Sequence, residues 1–125
     1  MEIATQIIIW VLSIFFIFAS SIKILGWQKK IFEIQLAFFE KYGLNRIIMR
    51  LVGILELVGA ILIWFLPSTL GVIGACLIAV TSIGAIFFHI RFDKWTDGIP
   101  AFTTLNLSGY LIIEQTNIIN LVLAS

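Results

Sequence analysis

The sequence is poor in the residue types that build disulfide, thiolate and nucleic-acid chemistry. A single cysteine, Cys76, stands in 125 residues, which excludes an internal disulfide, a CxxC redox pair and a thiolate metal site within one chain. A single histidine, His89, restricts bis-histidine haem ligation to a dimer, and no metal centre is expected. Charged residues make up 12% of the chain, about half of the roughly 25% usual in soluble domains. No basic tract interleaved with aromatics offers a nucleic-acid surface, and the net charge of +1 carries no message as a total. The basic n-region of a secretory signal is missing too. Only Glu2 is charged ahead of the first apolar run, so residues 3–22 are expected to be a retained helix.

What is present is apolar: 61% hydrophobic residues and a mean hydropathy of +1.12, against about 45–50% apolar in soluble proteins. A soluble domain of this composition would precipitate. The reading is an all-α integral membrane protein, a four-helix bundle in one domain over residues 1–125, with spans at 3–23, 46–66, 70–89 and 101–123.

The stretch at residues 47–66, IIMRLVGILELVGAILIWFL, organises the rest. As a helix rising about 1.5 Å per residue it covers the roughly 30 Å of a bilayer's hydrocarbon layer. Glu56 sits near its middle. A charge there costs about 3 kcal/mol on insertion scales, whereas each of the many Ile, Leu, Val and Phe residues returns about 0.3–0.6. The apolar sum is larger, so the segment inserts. Gly53, Gly59 and Ala60 lie three and four residues from Glu56 on the same face, where small residues admit a neighbouring helix. Glu56 is therefore expected to face protein rather than lipid.

Residues 27–42, WQKKIFEIQLAFFEKY, are too charged to span and too apolar for an ordinary loop. On a helix, Lys29, Lys30, Glu33, Glu40 and Lys41 share a polar arc and Trp27, Ile31, Ile34 and Phe38 an apolar one, which predicts an amphipathic helix in the membrane interface between the first and second spans. Gly26 and Gly43 suit helix C-caps and Asn45 an N-cap. On the third span, Gly71, Gly74, Ala75, Ile78, Ser82 and Ala85 form a mostly small face for close packing ending at His89, and Cys76 is read as a small packing residue. Residues 91–100, RFDKWTDGIP, read as a polar, solvated turn, with Arg91 able to meet lipid phosphates. The fourth span carries Thr103, Asn106, Tyr110, Glu114 and Asn117 in steps of three and four, a polar stripe that needs protein or water beside it.

Lys23, Lys29, Lys30, Lys41, Arg46 and Arg50 flank the first connection, and Arg91 and Lys94 lie in the third. The positive-inside rule then places both termini outside the cytoplasm. Helical side chains lean toward their own N-terminus, so Lys23, Glu56, His89 and Glu114 are brought toward one level, with Lys23 and Glu56 as the preferred pair because Glu114 lies deeper. Glu56, Lys23, His89, Glu114 and Tyr110 are the candidate ligand- or proton-binding residues; Gly53, Gly59, Ala60, Gly74 and Ala85 are the candidate packing positions. Taken singly, Glu56 also suits a structural ion pair, Lys23 a snorkelling helix end and His89 a boundary residue.

Lys23-Ile24-Leu25-Gly26, Tyr42-Gly43-Leu44, Gly53-Ile54-Leu55-Glu56-Leu57-Val58-Gly59-Ala60, Gly84-Ala85, His89-Ile90-Arg91 and Pro100-Ala101 occur in an order and spacing that resembles the DoxX-like membrane proteins. The resemblance implies a four-helix integral membrane protein whose relatives include a small subunit linked to quinone-dependent thiosulfate oxidation, proteins connected with quinone or oxidative stress, and more distant assembly or trafficking factors; a bacterial inner membrane is the expected location. By position, the family's polar marks fall on Lys23, Glu56 and His89.

Three functions are consistent with these features. The first is a quinone-associated subunit of a redox system, at most an accessory to an oxidoreductase, holding a quinone while other membrane or redox proteins supply electrons. The second is a noncatalytic assembly protein, with homo-oligomers among its partners besides the lipid bilayer. The third is a small proton-coupled transporter; the small multidrug class fits less well because its essential acid lies in the first helix, and here Glu56 is in the second.

Overall fold

The structure is a computed structural model that describes residues 3–124, with side chains described as far as Gln115 and the helical course alone beyond it. Five helices follow one another: α1 (Ile3–Leu25), α2 (Lys29–Lys41), α3 (Arg46–Leu62), α4 (Thr69–Phe92) and α5 (Ile99–Ala124). Short 3-10 turns at Ile63–Phe65 and Trp95–Gly98 follow α3 and precede α5. Three stretches, Ile3–Leu25, Arg46–Phe65 and Thr69–Phe92, are long and apolar enough to cross a membrane.

The helix boundaries have local causes. Gly26, at φ 67°, and Gly43, at φ 81°, occupy the left-handed region just beyond α1 and α2, where a side chain is strained. Gln28 and Asn45 cap the following helices, their side-chain oxygens accepting from the backbone N–H of Ile31 and Ile48. At the start of α3 Arg46 turns back to α1. Its guanidinium donates to the carbonyls of Lys23 and Ile24, at 2.5 and 2.9 Å, and lies over the Phe32 ring, closing the open C-terminus of α1.

α1 packs on α3, α3 on α4 and α4 on α5, while α1 and α5 touch only lightly. The core runs through Leu12, Phe16, Ala60, Ile63, Ala75, Ile78 and Leu111. Close approach rests on glycine. A Cβ on Gly74 would lie 2.8 Å from the Ile63 nitrogen, and one on Gly53 2.9 Å from Lys23 Cβ. Gly59 and Gly74 face each other across α3 and α4, and Ala60 accepts a hydrogen bond from Ser13 at 3.1 Å. Outside this core Ile7, Ile14, Val80, Phe87 and Ile113 are exposed, the apolar girdle expected of lipid-facing helices.

Several sequence expectations are corrected. α4 runs three residues past the expected end at residue 89, carrying Arg91 and Phe92 within the helix, and the connection is largely a 3-10 turn. Asp93, read as part of a solvated turn, has a side chain only 1% exposed. Ala85, expected at a packing position, lines a cavity. Cys76 is exposed rather than packed. The first part of the stripe on α5 is turned outward: Thr103, Asn106 and Tyr110 are exposed, Glu114 is half-buried against α1, and the buried polar residues of α5 among those described are Thr104, Ser108 and Gln115. Thr103 and Asn106 satisfy themselves by donating to the carbonyls of Ile99 and Phe102. The Asn117 side chain lies outside the described residues.

Candidate functional site

A single turn of α3 places Gly53 against α1 and Glu56 just beyond it, so the close approach that glycine permits delivers Lys23 to the carboxylate. Lys23 Nζ lies 2.8 Å from Glu56 Oε1, and Glu56 as a residue is 7% exposed. The pair expected from the sequence is thus formed. A buried pair of this kind keeps both charges among apolar residues because each compensates the other.

The pair sits in the wall of a cavity of about 460 Å³, within the roughly 300–1,000 Å³ of small-molecule sites. All five helices contribute. Phe15 and Phe16 come from α1, Phe38 and Phe39 from α2, Val52 from α3, Gly84, Ala85 and Phe88 from α4 and Ala101 from α5; Gln35, Tyr42, Ser82, His89, Asp97 and Thr104 add polar atoms. The inward face of α2 is therefore Gln35, Phe38, Phe39 and Tyr42, the period of one helix side. Of the anticipated apolar arc Phe38 is shared with it, while Trp27 and Ile34 remain more than half exposed.

At one wall of this cavity the end of α2 meets the end of α4. The Tyr42 hydroxyl donates to Asp93 Oδ2 at 2.5 Å, His89 Nδ1 lies 2.9 Å from the same oxygen and 3.1 Å from the Tyr42 hydroxyl, and Lys41 pairs with Asp93 Oδ1. Phe88 stacks on Tyr42 at 4.8 Å, and Phe38 meets the His89 ring edge-on at 5.4 Å. Burial acts to raise the Asp93 pKa, but the hydrogen bonds from Lys41, Tyr42 and His89 outweigh it and hold the carboxyl below its ordinary range. Burial, reinforced by Asp93 and by the charge of Asp97, pushes the Tyr42 phenol well above its ordinary range. His89, Asp93 and Asp97 bring ligand-type atoms within 4.8 Å of one another; the Asp93 oxygens are already taken up by Lys41, Tyr42 and His89.

Lys23, Glu56 and His89 thus line one cavity. Glu114 and Tyr110 do not join them. Glu114 Oε2 accepts a hydrogen bond at 2.6 Å from Thr5, eighteen residues before Lys23 on α1 and hence about 27 Å of helical rise away. Tyr110 is 40% exposed and does not line the cavity. Sequence reasoning missed Asp93, Gln35 and the functional placement of Tyr42. His89 and Asp93 stand four residues apart, the spacing of neighbours on a helix, and ending the span at residue 89 concealed them.

These features define a class: a small helical integral membrane protein with a polar-edged, aromatic cavity between its helices. Within that class, the chain belongs to the DoxX-like family, whose sequence profile matches residues 7–109. No curated protein and no solved structure shows significant similarity to it.

Proposed function

We propose that the cavity binds a quinone-type ring and that the protein is a quinone-associated membrane subunit without an electron carrier of its own. The observation that carries this reading is the cavity itself, lined by Phe15, Phe16, Phe38, Phe39, Tyr42 and Phe88, with the polar groups Lys23–Glu56 and His89 bordering the same volume. Flat aromatic walls suit a flat ring, and a few placed polar groups suit its oxygens. Gln35 Oε1 adds a buried acceptor with no hydrogen-bond partner among the described residues. A quinone would supply two-electron, two-proton chemistry when bound, with electrons delivered by a partner; this chain's residues would hold the ring and hydrogen-bond its oxygens in one or both redox forms. In the membrane we place α1, α3, α4 and α5 as four spans and α2 in the interface. Both termini then lie outside the cytoplasm of a bacterial inner membrane, because Lys23, Lys41, Arg46 and Lys94 gather at the α2 end.

Extraction of the purified protein followed by mass spectrometry tests the reading. A quinone is expected at near-stoichiometric amount, and Gly84→Phe, which projects a ring into the cavity, is expected to remove it while leaving a folded protein. Wild-type protein that carries no quinone and fails to bind an added short-tail benzoquinone overturns it.

The outward polar stripe of α5 favours a second property, association with another membrane protein or a second copy. Thr103 and Asn106 are exposed on a helix whose Phe102 and Ile113 are exposed as well, where a facing helix would supply packing against a mixed polar and apolar surface. Cross-linking at residue 106 in native membranes reports the neighbour.

A further inference from the structure

We infer that Asp93 fixes the tautomer of His89 so that the cavity presents hydrogen-bond acceptors and selects the hydroxylated, reduced ring over its oxidised quinone. The inference rests on the binding reading above and deepens it by naming the redox form that the site prefers.

The argument is a count of protons. An ionised carboxylate only accepts hydrogen bonds. Asp93 Oδ2 takes the Tyr42 hydroxyl proton at 2.5 Å, so that hydrogen is used and Tyr42 has none left to give to His89. His89 Nδ1 lies 2.9 Å from the same carboxylate oxygen and 3.1 Å from the Tyr42 oxygen. A bare Nδ1 lone pair facing both oxygens would be repelled, whereas an Nδ1–H donates to them. The proton of neutral His89 therefore resides on Nδ1, and Nε2 is the acceptor. His89 lines the cavity and Asp93 does not, so the ring stands between its orienting carboxylate and the cavity volume. Lys41 on Asp93 Oδ1 keeps that carboxylate ionised and in place.

Gln35 supplies a second observation, independent of His89. The residue lines the same cavity, and its Oε1 is buried with no hydrogen-bond partner among the described residues. An unfilled acceptor at the cavity wall, His89 Nε2, with the unpaired Gln35 Oε1 behind the wall, is satisfied by a ligand that brings O–H donors, as a hydroquinone does; a quinone brings only carbonyl acceptors and leaves it unpaired. The other charged groups at the cavity are the Lys23–Glu56 pair and Asp97, also an acceptor; Lys23 keeps ammonium hydrogens beyond the one directed at Glu56, but an oxygen of either ring form can accept them, so they do not discriminate between the two. Asp93 and Tyr42 are positioning residues here, acting through the imidazole, and the consequence is a preference of about tenfold or more for the reduced ring, the effect of one unsatisfied buried acceptor.

The presence of a single histidine makes the test direct. Nitrogen-15 NMR of histidine-labelled protein in micelles, at a pH where the ring is neutral, is expected to show protonated Nδ1 and bare Nε2; an Nε2–H tautomer overturns the inference without any ligand. Anaerobic binding of a short-tail benzohydroquinone and its benzoquinone is expected to favour the former by about tenfold. Asp93→Asn, whose amide can donate to Nδ1, is expected to move the proton to Nε2 and to erase or reverse that preference. Equal binding of the two forms by the wild-type protein, or a preference untouched by Asp93→Asn once the tautomer has moved, refutes the inference while leaving the cavity reading standing. Failure of both rings to bind sinks the cavity reading and this inference with it.

Discussion

The two ends of the helix pack use small residues for opposite purposes. At the Pro67 end, glycine removes space: a Cβ on Gly71 would lie 2.7 Å from Leu66 Cα, and one on Gly74 2.8 Å from the Ile63 nitrogen. Ser13 is buried there and receives the Trp64 indole N–H. At the α2 end, glycine leaves space: a Cβ on Gly84 would meet nothing within 4 Å, and the residue borders the 460 Å³ cavity. One end is solid and the other hollow. The hollow end also holds the Lys23–Glu56 pair and the Asp93 cluster, so both ion-pair clusters stand where the packing opens, whereas Glu114 lies at the other end beside Thr5.

The sharpest way to probe the hollow end is to break its ion pair. Lys23→Met leaves the Glu56 carboxylate without its compensating charge and is expected to destabilise the protein by about 3–5 kcal/mol. Lys23→Met combined with Glu56→Leu should recover most of that loss, because a well-packed apolar pair is often neutral relative to a buried ionic one. Denaturant unfolding in mixed micelles measures both. A double variant as unstable as the single would show that the pair is not an isolated couple and that another buried group depends on Glu56.

The Asp93 cluster gives the next effect. Tyr42→Phe removes a hydrogen bond to a charged acceptor and is expected to cost about 1.5–3 kcal/mol. Its pH dependence has a definite sign. The Asp93 pKa is lowered by folding, so its contribution is present above the ordinary carboxylate value of 3.8 and fades as pH falls through the lowered one. The Tyr42 pKa is raised, so its contribution is complete below the ordinary phenol value of 10.0 and is lost as pH climbs beyond it toward the raised one. Melting temperatures across pH should therefore form a plateau between these limits, with Tyr42→Phe weakening the alkaline fall and Asp93→Asn the acid one. An alkaline limb unchanged in Tyr42→Phe would assign it to another group.

How far the sequence foretold this contrast depends on which physics governs each residue. The apolar lengths, the caps at Asn45 and Gly43, the small face around Glu56 and its pairing with Lys23 follow from rise per residue, cap chemistry and side-chain lean, all of them local rules. Asp93 escaped because a short run of charged and turn-forming residues at 93–98 reads as solvated until α2 is laid across it. Its burial is created by Lys41 and Tyr42, some fifty residues earlier in the chain. Glu114 was drawn toward the others by its charge, yet its height on α5 pairs it with Thr5 at the opposite end of α1. The α5 stripe kept its predicted spacing, but which side of the helix turns inward is decided by packing on α4, where Ser82 and Thr104 share a hydrogen bond at 2.6 Å.

At the solid end, Gly71→Ala tests whether close approach is required. The added methyl meets the backbone of Leu66, which cannot swing aside as a side chain does. Overpacking of this kind is expected to cost about 1–3 kcal/mol, read as a lower unfolding midpoint. A midpoint equal to wild type would mean that the turn around Pro67 yields readily and that this end is less solid than its glycines suggest.

The same chemical change at the hollow end completes the comparison. Gly84→Ala puts its methyl into open volume, so the strain term vanishes and the small gain from restricting the unfolded backbone remains, leaving stability within about 0.5–1 kcal/mol of wild type or slightly above it. Ligand binding should weaken only modestly, because one methyl removes little of a 460 Å³ cavity. Two identical substitutions, both glycine to alanine on α4 and thirteen residues apart, should thus differ in sign or by several-fold in magnitude. If both destabilise equally, the hollow end is closed in the membrane and the cavity is not a standing feature of the fold.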